Sequence, residues 1–80
     1  MKTGILYTIK VVNRHYLTGY YIGETTAPIP TQSFHDADHV SGPAIWWSDK
    51  SSRQAGSKKC EKILSSHILA VFELIPETQP

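Results

Sequence analysis

This chain predicts an α+β domain, a small antiparallel sheet of three to four strands with one helix packed across one face. The expected order is strand, strand, short strand, helix, strand. Three stretches carry that expectation: the alternating "ILYTIKVV" near the N-terminus, the segment "SDKSSRQAGSKKCEKIL" after two tryptophans, and the apolar run "HILAVFELI" near the end. Alternation with period two reads as a half-covered strand, and a capped segment with one small or apolar side reads as a helix. Eighty residues make a single domain. A chain this short buries only about 60% of its unfolded surface, so its stability is marginal.

The first strand sets Ile5, Tyr7, Ile9 and Val11 on one side and Leu6, Thr8, Lys10 and Val12 on the other. "NRH" follows as a turn, since asparagine tolerates the left-handed conformation. "YLTGYYIGE" returns as the second strand, completing a hairpin over residues 5–24, with Gly19 and Gly23 marking a bulge and the strand end. Residues 25–43 hold three of the five prolines and read as an extended excursion with one helical turn around "HDAD".

"AIWW" then forms a short strand in which Trp46 and Trp47 point to opposite sides, one into the core and one toward solvent. Ser48 is an N-cap and Asp49 sits in the first turn of a helix over about 49–64. That helix would turn Ser52, Ala55, Gly56, Cys60, Ile63 and Leu64 to the sheet and its basic residues outward. The final strand, about 67–75, is apolar on both faces, which places it centrally or under a cover. Residues 76–80 form a frayed tail.

Net charge is +1, which by itself selects no polyanionic partner. The basic residues are nevertheless gathered: between Asp49 and Leu64 lie Lys50, Arg53, Lys58, Lys59 and Lys62 against Asp49 and Glu61, a local charge of +3. Cys60 is the single cysteine, so no disulfide can form within the chain, and a reducing, cytoplasmic setting is expected. The N-terminal apolar patch alternates with polar residues and reads as a strand, not a leader. No apolar run approaches the roughly 20 residues of a membrane span, so no membrane association is expected.

Four groups of residues bear on chemistry. In "HDADH", His35 and His39 stand four apart and would share a metal on a helix, with Asp36 and Asp38 available as ligands. Nothing apolar is present to hold such a helix, so the favoured reading is an exposed turn, and no metal or other cofactor is expected. Cys60 or a serine paired with a histidine lacks a positioned base, and no enzyme activity is expected. Tyr16, Tyr20 and one tryptophan beside Arg53, Lys58, Lys59 and Lys62 could stack bases and neutralise phosphates. A dedicated nucleic-acid binder is usually far more basic, so a solvated helix face is favoured.

The fourth group is "GILY" with "YYIGET", which resembles the hairpin of the GIY-YIG endonucleases over about the first quarter of the chain. Tyr7 and Tyr21 are the matching positions, and the resemblance implies two tyrosines beside a metal-bound glutamate. Here the first motif carries an extra residue, and "TTAPIPTQS" stands where the family has a helix bearing an arginine. The bland alternative is two tyrosines favoured by strand propensity.

A broader resemblance covers the hairpin, "AIWWSDKSSRQAGSKKCEKI" and "ILAVFELIP". This order is similar to small uncharacterised bacteriophage and prophage proteins, with Ala44, Trp46 or Trp47, Ser48, Ala55 and Ile63 as matching structural positions. The resemblance implies a mobile-element setting and a location in the host cytoplasm. It also implies a non-catalytic binder that inhibits or modulates a host complex such as a CRISPR effector, as anti-CRISPR proteins do. A protein interface draws on aromatic anchors ringed by complementary charge. The expected contact residues are Tyr16, Tyr20, Phe34, Trp46 and Trp47. The expected partner is a host protein or complex, with a homodimer as a second outcome and nucleic acid as the alternative ligand.

Overall fold

A computed structural model describes residues 1–30 and 40–74. Its strands are β1 (Leu6–Val11), β2 (Tyr16–Pro28), β3 (Ser41–Ser48), β4 (Glu61–Leu64) and β5 (Ile68–Glu73), with a 3-10 turn at Ser65–His67 between the last two. They form one antiparallel sheet in the order β4-β3-β2-β1-β5. The helix expected over 49–64 is absent, so the α+β reading is overturned in favour of an all-β fold.

The physical reason lies in the segment itself. Between β3 and β4 the chain makes successive tight turns, with the N–H groups of Arg53, Ser57 and Cys60 donating to the carbonyls of Lys50, Gln54 and Ser57. Ser48 Oγ accepts from the Lys50 N–H at 3.1 Å and Ser57 Oγ from the Lys59 N–H at 3.1 Å. Serine side chains that bond neighbouring backbone in this way compete with helix hydrogen bonds. Gly56 sits at φ +87°, a left-handed conformation that interrupts any helix. The segment also has too little apolar side chain to bury, and tertiary burial is what stabilises most short helices. Ile63 and Leu64, counted on its last turn, are buried residues of β4 instead.

The proline-bearing stretch departs from expectation in the opposite direction. β2 does not end at Gly23 but continues to Pro28, and β3 begins at Ser41, so both described ends of the 25–43 excursion are paired strand. The Ile29 N–H donates to the Val40 carbonyl at 2.9 Å. Hydrogen-bonded and non-bonded pairs alternate in an antiparallel ladder, so Pro28, opposite Ser41, and Pro43, opposite Thr26, both fall at non-bonded positions. β4 pairs with β3 only from Ala44 onward, leaving Pro43 at an open edge where its missing N–H is not needed. The "HDADH" residues and Phe34 lie outside the described residues.

The first hairpin conforms to the expectation, with Asn13 at φ +60° and the Arg14 N–H donating to the Val11 carbonyl. The ladder between β2 and β3 shifts register between Tyr21 and Gly23, and β1 and β5 shift at Lys10/Val11. Such bulges bend and twist strands. A lone sheet can bury a face only by coiling on itself, and this one does. Val11 and Ile63, on strands three places apart, join Tyr7, Ile9, Ile45 and Trp47 in one core. The curl is fastened where Arg14, in the β1–β2 turn, pairs with Glu61 of β4 at 2.9 Å, while the Val12 N–H, donating to the His67 carbonyl, extends the β1–β5 ladder by one step. A smaller cluster of Ala27, Ala44 and Leu64 sits on the opposite face.

β5 corrects one further expectation. It is apolar on both sides yet lies at the sheet's edge, and Leu69, Val71, Phe72 and Leu74 are exposed.

Candidate functional site

Alternation assigns the side chains to an inner, core face and an outer face. Tyr7, Ile9 and Val11 of β1 point inward with Leu17 and Trp47. Thr8 and Lys10 therefore point outward, opposite Thr18 and Tyr16 on β2 and Phe72 and Ala70 on β5. On this outer face Lys10 Nζ stands 5.6 Å from the Tyr16 ring centroid, and the Tyr16 and Phe72 rings lie tilted with centroids 6.4 Å apart. Lys10 Nζ also donates to the Arg14 carbonyl, while the Thr8 and Thr18 hydroxyls bond each other at 2.8 Å. Tyr16 keeps 59% of its surface exposed and Phe72 keeps 52%, so two aromatic rings are held on rigid strands but left open to solvent.

Beside Tyr16 the first residues of β2 run past the end of β3, and the 49–60 segment crosses the space beyond. An open recess of about 490 Å³ results, with Arg53, Lys58 and Lys59 on its rim against Asp49 and Glu61. The carboxylates are engaged: Arg53 Nε donates to Asp49 at 3.3 Å, and Arg14 donates to both Glu61 oxygens. Among the described residues Lys58 and Lys59 make no ion pair, so the rim is net basic. Cys60 is half-buried, its Sγ 3.4 Å from the Gln54 carbonyl, not on a sheet-facing helix side.

The expected site residues are thus divided by the fold. Tyr16, Arg53, Lys58 and Lys59 gather around one recess. Trp46 is half-buried on the outer face of β3, with Lys62 Nζ 5.2 Å from its ring centroid across the β4 ladder, which makes a second cationic-aromatic pair. Tyr20 is half-buried opposite Ser48. Trp47 is only 4% exposed, so it is a core residue and is removed from the contact set. Lys10 and Phe72 were not singled out from sequence. The signal for Lys10 was present, as a basic residue on the second side of an alternating strand, but the neighbour that gives it meaning comes only from the register.

The two tyrosines of the endonuclease-like hairpin both face inward. The Tyr7 hydroxyl accepts from the Lys2 amide N–H at 2.7 Å, and Tyr7 is 5% exposed. Burial first, and the charge of Glu24 second, raise the Tyr21 phenol above its ordinary value. Among the described residues no group of three His, Cys, Asp or Glu side chains is arranged to hold a metal ion. No described helix is long and apolar enough to cross a membrane.

Comparison with known proteins returned no matching family model, no matching curated protein and no matching solved structure.

Proposed function

We propose that this chain is a non-catalytic protein-binding module whose contact surface is the outer face around Tyr16. The observation that carries the reading is the exposed Tyr16 ring on β2, beside Lys10 on the neighbouring β1 and facing the exposed Phe72 ring of β5 across it, and flanked by the basic recess. Exposed aromatics on rigid strands lose little conformational freedom on binding, and such anchors with charge around them dominate interface energetics. The sharper form of the proposal is inhibition of a host complex by occupying one of its acidic surfaces.

Nucleic-acid binding is the second reading, favoured by the Trp46 and Lys62 pair together with Lys58 and Lys59. Immobilised protein incubated with nuclease-treated bacterial lysate separates the two. The protein-binding reading expects one stoichiometric protein that is retained by the parent chain and lost with Tyr16→Ala. Retention that disappears with nuclease, falls steeply with salt and fails on reversing Lys58, Lys59 and Lys62 would overturn it in favour of nucleic acid.

A further inference from the structure

We propose that β5 pairs with β5 of a second copy of this chain, joining two curled sheets edge to edge about a two-fold axis at Val71. The inference starts from the backbone. The Leu74 N–H donates to the Leu6 carbonyl at 2.9 Å, and the register sets Tyr7 opposite Glu73. By alternation residues 70, 72 and 74 turn their peptide groups toward β1 and Val71 and Glu73 turn theirs to the open edge, while Leu69 is the extra residue of a bulge, since Ala70 faces Lys10 and Ile68 faces Val11.

Natural sheets protect such edges with charge, proline or short length. The opposite edge does so: β4 has four residues, and Glu61 and Lys62 are exposed on it. β5 is guarded only at its two ends, by the bulge at Leu69 and the charge of Glu73, while Ala70 to Phe72 between them carries no charge and no proline and Val71 is 45% exposed. Its register irregularity is confined to the N-terminal end near Lys10/Val11, which leaves the stretch after Ala70 regular.

A second copy fits this edge for a reason of shape and charge. With the axis at Val71, Phe72 of each chain falls opposite Ala70 of the other on the outer face, a large side chain over a small one, twice. Val71 meets its own equivalent on the inner face, and Glu73 comes beside the other chain's bulge at Leu69. Like charges are never set opposite, which a self-pairing edge requires. The axis stands perpendicular to the sheet, so both Tyr16 clusters lie on one side of the joined surface. Pairing over five residues buries less than a standard interface of about 1,600 Å², so the dimer is expected to be weak and concentration-dependent. The proposal is independent of the protein-binding reading.

Sedimentation velocity over a range from low to several hundred micromolar tests it. The parent chain should shift from monomer to dimer with rising concentration. Leu69→Glu brings a glutamate beside Glu73 of the second copy and should abolish the shift, whereas Leu69→Lys, equally polar at the same exposed position, should keep or strengthen it. In a Cys60→Ser background, Val71→Cys should oxidise to a covalent dimer. A parent chain that stays monomeric throughout, or a dimer that Leu69→Glu and Leu69→Lys affect equally, overturns the proposal. Because partner capture is read separately, a failed dimer with retained capture sinks this inference alone.

Discussion

Gly19 offers the sharpest test of how the sheet is built. A Cβ at this position would meet Trp47 Nε1 at 2.9 Å, with the Ser48 carbonyl oxygen closer still. Neither neighbour is free to yield, since Trp47 is a core side chain and the carbonyl belongs to a strand end where Ser48 is 2% exposed. Overpacking of this kind costs about 1–3 kcal/mol. Removing a glycine from a strand offsets roughly 0.5–1 kcal/mol of that. Because the nearest atom is backbone and cannot swing aside, the overpacking cost falls in the upper part of its range, about 2–3 kcal/mol. The net loss for Gly19→Ala is therefore about 1–2.5 kcal/mol, and at about 4–8 °C per kcal/mol it lowers Tm by roughly 4–20 °C. Thermal unfolding followed by tryptophan fluorescence measures it, best in a Trp46→Phe background where Trp47 is the sole indole. An unchanged or raised Tm, with unchanged Trp47 emission, would refute the close packing of β2 against the end of β3.

Two other perturbations probe the core face. Ile9 is fully buried at the centre of the larger cluster, and truncation of such a residue to alanine costs about 2–5 kcal/mol. Ile9→Ala should therefore show a large unfolded fraction in mild urea, and a midpoint within error of the parent would contradict a core centred on β1. Tyr21 has its phenol pKa raised by burial and by Glu24. Below the unfolded-state value near 10 both states are neutral and nothing changes; above it the unfolded chain ionises first, so stability falls as pH rises toward the folded-state value. Urea midpoints at pH 9 and pH 11 should thus differ less in Tyr21→Phe than in the parent, and equal differences would remove Tyr21 from the alkaline response.

The parts of this fold that sequence disclosed are those governed by local pattern. The alternation of "ILYTIKVV" gave β1 and its inner face, asparagine gave the turn at Asn13, and adjacency alone sent one tryptophan inward and left the other half-exposed. The parts that it hid depend on pairing. Pro28 and Pro43 argue against strands until the register shows both at positions that need no N–H. Ser48, Asp49 and the lysines imitate a capped helix, because the serine that caps a helix also closes a turn. β5 reads as a central strand by its hydrophobicity, and its place at the edge follows from the return of the chain to β1. The candidate site suffers similarly. Tyr16 was visible as an aromatic on a strand, but its neighbours Lys10 and Phe72 come from two other strands.

The claim on which the rest depends is that residues 49–60 are turns and that the sheet curls so its β1 and β4 ends share a core. Backbone NMR assignment with inter-residue NOEs tests both at once. The curled sheet requires no helical run of Cα shifts between Asp49 and Leu64, extended shifts at Glu61–Leu64, and NOEs linking Val11 to Ile63. Continuous helical shifts across that segment, with Val11 and Ile63 showing no contact, would contradict the fold and dissolve the recess beside Tyr16.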